Sequence, residues 1–174
     1  GVALDLVQAA IANGKHVITA NKALLAHHGY KLAVQAEKAG VMLAAEASVA
    51  GGIPVLKTLR ESLSGNQITR ITGILNGTCN YILSTMQHQA RDFDDVLAEA
   101  QALGYAEADP GFDIDGVDAG HKLALLGAIG FGTAPSIDAV DMTGVRAITM
   151  TDMENASNLG CTIRLLAEAE QNDD

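Results

Sequence analysis

Between Tyr105 and Lys122 the chain gathers its densest set of groups able to hold charge or move a proton: Tyr105, Glu107, Asp109, Asp113, Asp115, Asp118 and Lys122. Gly104, Pro110, Gly111 and Gly116 punctuate the run, so the carboxylates belong to loop rather than to a solvated helix face. Asp115 is spaced to cap a following helix through its side chain. Asp118 then falls in the first turn, where the helix dipole favours an anion, and Lys122 follows at i+4. A lysine at the mouth of an apolar helix can give a proton to a developing alkoxide and take it back in reverse. By spacing alone, an ordinary Asp–Lys surface pair is the commoner reading.

Four further places carry candidate chemistry. Lys22 follows Thr19-Ala20-Asn21 at the end of a short apolar strand, and the carboxyl ends of strands in open α/β sheets are where ligands bind. Glu46 precedes the glycine-containing stretch Ser48–Gly52, whose oxygens would suit a hard cation or simply form a turn. Asn76-Gly77-Thr78 stands before a helical pattern and offers amides to a carboxylate. Cys79 is a nucleophile only if a histidine activates it, and none of the five histidines is an obvious partner by sequence; a small buried residue is the plainer reading.

These residues need a frame. Apolar spacing predicts a helix over 2–12, a strand over 17–19, a helix over 23–38 ending at Gly40, and a strand over 41–45. That alternation is the end of an open parallel sheet. Beyond Pro54 the texture changes: helix over 54–63, β segment over 67–75, a helix starting near Tyr81, helices over 93–103 and 115–129, a shorter one over 151–159 with a Thr151–Glu154 capping box, and a strand within 161–169. The expected fold is an α/β remnant of a dinucleotide-type cofactor domain over 1–50, followed over 51–174 by an α+β domain with a mixed sheet.

Composition excludes several classes. A net charge of −10 with eleven scattered Lys and Arg opposes nucleic-acid binding, which needs clustered cations. No apolar run approaches the roughly 20 residues of a membrane span. Two cysteines far apart in sequence, with no secretory pattern, fit a reducing cytoplasmic setting. Neither GxGxxG nor a P-loop occurs in these 174 residues, so a cofactor fingerprint would lie upstream of Gly1.

Taken together, Thr19–Lys22, Glu46–Pro54, Ile74–Thr78 and Gly104–Pro110 through Asp113, Gly116, Asp118 and Lys122 resemble homoserine dehydrogenase, in that family's order and over most of the chain. The resemblance implies reduction of L-aspartate 4-semialdehyde to L-homoserine with NADPH or NADH, on the branch to threonine, isoleucine and methionine. It implies Lys122 as proton donor, with Lys22 at the cofactor–substrate junction also serving proton transfer. Glu107 and Asp118 would hold the substrate ammonium, with Asp118 counted in the catalytic set. Asp113, Tyr105, Gly77 and Thr78 would line the substrate site, and Gly104 would approach the nicotinamide. Glu46, Val49, Gly51 and Ile53 match a loop that binds a sodium-like cation, mostly through backbone oxygens. The chain would be the catalytic, dimer-forming part of a cytoplasmic homodimer, inactive by itself. Two rivals from other classes are an acylating semialdehyde dehydrogenase using Cys79 and a non-catalytic dimerisation module.

Overall fold

The first helix forms because Leu4, Val7, Ala10 and Ile11 recur on one face, and that periodicity needs a partner surface. In the computed structural model, which describes residues 1–171, α1 (Val2–Ala12) packs on α2 (Lys22–Lys38). Between them runs β1 (Val17–Ile18), parallel to β2 (Leu43–Ala44), with Val17 opposite Leu43 and Ile18 opposite Ala44. Asn21 starts α2: its side chain accepts from the Leu24 amide at 3.0 Å, which satisfies one of the free donors of the first turn. Ile11, Val17, Leu24, Leu32 and Ala36 form the buried core here. The expected helix–strand–helix–strand order is present, with shorter strands.

The later elements are α3 (Val55–Lys57), a π-helical turn over Thr58–Ser62, and β3 (Arg70–Gly73). Then come α4 (Gly77–Gln89), α5 (Phe93–Ala102), α6 (Gly111–Ile114), α7 (Val117–Phe131), α8 (Met150–Asn158) and β4 (Ala167–Glu170). Helix predominates. Among the described residues the expected mixed sheet is a single pair, β3–β4. Residues 172–174, the end of the expected 51–174 segment, lie outside the described residues.

Contacts divide the chain into two compact units, each assembled from separate stretches. The first comprises Gly1–Ile71, His121–Val140 and the stretch from Glu168; the second comprises Thr72–Gly120 and Asp141–Ala167. The second unit is helical. Its α4 packs on α5, α6 and α8, around Cys79, Ile82, Leu83, Met86, Val96, Ala100, Ile114 and Met153.

Three local expectations are corrected. Helix α4 begins at Gly77, four residues before Tyr81, because the Asn76 side chain caps it by accepting from the Cys79 amide at 2.8 Å. The capping box of α8 is Thr149–Asp152, two residues before Thr151–Glu154: the Thr149 side chain accepts from the Asp152 amide, and the Asp152 carboxylate accepts from the Thr149 amide at 2.8 Å. Both boxes fit the same pattern, and only the Thr149 one coincides with the extended backbone that a cap requires. Finally, α7 starts at Val117, with Gly116 between it and Asp115. Asp115 is therefore no N-cap of α7, and its carboxylate accepts from the Arg146 guanidinium, through Nη2 at 3.0 Å and through Nε.

Leu83 is fully buried, so Leu83→Ala is expected to cost about 2–5 kcal/mol in urea unfolding, through lost transfer energy and the residual cavity. Leu159→Ala, at an 80% exposed position, is expected to stay within about 0.5 kcal/mol of the parent. Equal losses at the two positions would contradict this core.

Candidate active site

In the second unit the carboxylates of Asp113 and Asp118 are brought to a single nitrogen. Asn76 Nδ2 donates to Asp113 Oδ1 at 2.7 Å and to Asp118 Oδ2 at 2.9 Å. Asn76 and Asp118 are 3% and 4% exposed, so the bond to Asp118 is buried and the one to half-buried Asp113 partly so; both are charge-assisted, stronger than neutral ones. Asn76 Oδ1 is occupied by the Cys79 amide, and that bond fixes which face of the carboxamide points at the acids. From sequence, an asparagine before a helix reads only as a cap or a source of backbone amides. Nothing in one chain's spacing signals that its other face bridges residues 37 and 42 positions away.

The strip Met142–Arg146 fixes the turn that carries these acids. The Val145 amide donates to the Ile114 carbonyl at 2.8 Å. A Cβ on Gly144 would stand 2.6 Å from the Ile114 oxygen and 2.7 Å from the Asp115 Cα, so only glycine permits this approach. Arg146 then pairs with Asp115. The guanidinium beside Asp115 holds its carboxyl below the usual carboxylate range. Sequence reasoning gave Arg146 no role, since an isolated arginine 31 residues downstream carries no local pattern.

Glu107 lies on an exposed loop of the same unit, and its main chain is tied down on both sides. Gln101 Nε2 donates to the Glu107 carbonyl at 3.0 Å, and Thr78 Oγ1 donates to the Tyr105 carbonyl at 2.9 Å. The Tyr105 ring stacks edge-on against Tyr81 at 5.0 Å. Tyr81 donates to Glu99 at 3.0 Å, and Glu99 also pairs with Arg91. Those two donors hold the Glu99 carboxyl below its ordinary range, the Arg91 contact first. Thr78 and Tyr105, expected against substrate, are thus engaged in setting the Glu107 loop, and Gly77 is the exposed first residue of α4. Gly104 closes α5 at φ +76°, a left-handed position that glycine occupies without strain.

Cys79 is fully buried, and its Sγ donates to the Asp113 carbonyl at 3.2 Å. Burial first, then the charges of Asp113, Asp118 and Asp115, push its thiol up to about 12. A nucleophilic cysteine needs the opposite environment, so the rival acylating reading loses its nucleophile.

In the first unit, Lys22 opens α2 directly after Asn21, and Lys122 lies on α7 four residues after Asp118. Both lysines are half-buried. The Glu46 carboxylate accepts from the amides of Leu56 and Lys57, each at 2.9 Å. It caps α3 from a distance and is not a free side-chain ligand. Ala50 and Gly51 follow at φ +59° and +56°, a sharp left-handed turn within the Val49–Ile53 loop. The first unit also holds a 230 Å³ apolar pocket lined by Leu25, Tyr30, Leu43, Leu56, Leu125 and Ile129 among others; no expected site residue lines it. Among the described residues no three His, Cys, Asp or Glu side chains form a metal-binding group.

Two family models match the chain: homoserine dehydrogenase, NAD binding domain, over residues 2–46, and homoserine dehydrogenase over 54–172. The chain is 52% identical over 170 residues to homoserine dehydrogenase of Pseudomonas aeruginosa, covering 98% of the chain and 39% of that relative. It superposes on the crystal structure of a homoserine dehydrogenase from Thiobacillus denitrificans with a TM-score of 0.96 at 51% identity, covering 98% of this chain and 40% of that one. A hyperthermophilic archaeal homoserine dehydrogenase in complex with NADPH gives 0.85 at 31% identity, over 97% and 49%. An NAD-binding segment followed by a larger acid-bearing domain defines the class, a dinucleotide-dependent dehydrogenase. The chain belongs to the homoserine dehydrogenase family, and spans about two fifths of the length of the curated relatives it matches.

The thiols provide a test. At pH 8 a thiol with a pKa of about 12 is ionised to only about one part in ten thousand. Iodoacetamide is therefore expected to label exposed Cys161 rapidly and Cys79 only after denaturation. Labelling of native Cys79 at the Cys161 rate, read by peptide mass spectrometry, would contradict the assigned environment.

Proposed function

We propose that the full-length protein containing this chain reduces L-aspartate 4-semialdehyde to L-homoserine with NADPH or NADH. The observation that carries this reading is the Asp113–Asn76–Asp118 cluster, two acids held together in a way that suits an amino-acid ammonium, in a chain of this family. The parallel pair β1–β2 suits the cofactor, because its strands end at the segments holding Lys22 and Glu46, the edge where open α/β sheets take ligands. The bound nicotinamide would supply the hydride.

The chain's own residues do the rest. Asp118 and Glu107 pair with the substrate ammonium and orient the aldehyde. Lys122 stabilises the charge developing on the carbonyl oxygen and delivers a proton to it, with Lys22 serving the same transfer from the cofactor side. Gly104 approaches the nicotinamide. With the Glu46 carboxylate committed to α3, a sodium-like cation would be held by the carbonyls of Glu46, Val49, Gly51 and Ile53. A cytoplasmic homodimer is the proposed working form.

In the full-length enzyme, Lys122→Ala is expected to lower turnover by about 10²- to 10⁴-fold, the usual worth of a positioned acid–base group, with NADPH affinity nearly unchanged by calorimetry. Near-normal turnover would remove Lys122 from this role. The 174-residue chain contains no glycine-rich phosphate turn, so alone it is expected to bind NADPH weakly or not at all. Micromolar binding by the chain would contradict that expectation.

A further inference from the structure

We infer that Asn76 is a positioning residue of the substrate site: its one carboxamide holds the Asp113 and Asp118 carboxylates together as a paired anion able to receive the substrate's ammonium. The inference rests on the proposed function for its kinetic arm and on geometry alone for its structural arm.

Two carboxylates can share a small buried space only when donors lie between them. Here both N–H groups of Asn76 are used, one on each acid, at 2.7 and 2.9 Å. The orientation cannot be reversed at low cost. Turning the amide over would set its NH2 group against the Cys79 amide, which now donates to Oδ1 at 2.8 Å, and would aim the oxygen at two anions.

The position of Asn76 is itself locked. The Asn76 carbonyl accepts from Asn80 Nδ2 at 3.0 Å, and Asn80 in turn exchanges hydrogen bonds with the Leu165 carbonyl at 3.2 Å and amide at 3.0 Å. One end of the bridge is thus anchored to α4. The other is anchored through the α6–α7 turn, which the Val145 amide and Gly144 hold in place. An acid pair fixed at both ends meets a substrate ammonium already oriented, which is the preorganisation that binding rewards.

Asparagine also does here what its two closest substitutes cannot. Aspartate keeps the cap on α4, since Asp and Asn are equivalent N-caps, but it replaces the shared donor with a third anion. Serine keeps a capping oxygen and is too short to reach both acids. Asn76→Asp therefore separates the role at the site from the role in the helix, which a change to alanine would not.

The test uses full-length enzyme. For Asn76→Asp, the third carboxylate is expected to lower the melting temperature, and in assays run below it KM for homoserine rises about 10- to 100-fold, the worth of hydrogen bonds to charged groups. The fall in kcat should be much smaller, because the lost interaction belongs to binding and not to the hydride step. In crystals of the variant, the Asp113 or Asp118 carboxylate should have turned away from residue 76. Asn76→Ser is expected to show a smaller rise in KM of the same kind, and it carries the test if Asn76→Asp does not fold. An unchanged KM, a loss confined to kcat, or both acids staying in place in the variant crystals would each overturn the inference. Failure of the parent to oxidise homoserine would instead refute the proposed function, and the crystal structure would still decide the role of Asn76.

Discussion

One carboxamide sets the geometry on which the second unit's chemistry depends. Two carboxylates a few ångströms apart repel by about 3 kcal/mol even at an effective dielectric of about 20, and Asp118 is 4% exposed, where water screens little. Asn76 makes the arrangement tolerable by donating to both. It is also the residue that starts α4, the helix against which α5, α6 and α8 pack. The same side chain therefore fixes the central helix of the unit and the charge pattern of its site, so the position of the acids follows the position of the core.

The acids are held from the other side by contacts of a different kind. The Arg146–Asp115 pair is about half exposed at both ends, and exposed pairs contribute little to stability. What determines the turn is steric: Gly144 presses onto the Ile114 and Asp115 backbone, and the Val145 amide closes a hydrogen bond to Ile114. The ion pair selects the direction in which Asp115 points, away from a helix-capping role. With Asp115 paired to Arg146, the two acids joined through Asn76 are Asp113 and Asp118.

Local chemistry in the sequence made much of this legible. The Leu4–Ile11 periodicity and the glycine stop at Gly104 are short-range signals, and the elements they predict are present. Errors arose where two local patterns competed or where a partner lay far away. Thr149 and Thr151 each begin an acceptable capping box, and only the backbone decides between them. Asp115 has the type and spacing of an N-cap, yet a distant arginine claims it. Glu46 stands before a glycine-rich turn, and its carboxylate caps a helix ten and eleven residues on, which leaves its backbone oxygen for the proposed cation role. Asn76 was legible as part of an amide-bearing stretch before a helix and illegible as a bridge, because periodicity carries no information about which acids return to the far face of a side chain. The ordered blocks supplied the site residues by resemblance; their hydrogen-bond partners had to come from the fold.

The Cys79 thiol offers an independent view of the same electrostatic environment. Apart from burial, what raises it is the summed negative charge of Asp113, Asp118 and Asp115. A potential that penalises a thiolate must by the same sign favour a cation placed nearby. Cys79 was the one residue on which a covalent, thiol-based reaction would have relied. Its environment, buried and beside three carboxylates, disfavours that reaction and favours positive charge nearby. In the proposed function the acids would select the ammonium, and the dehydrogenation would be that of the family to which the chain belongs.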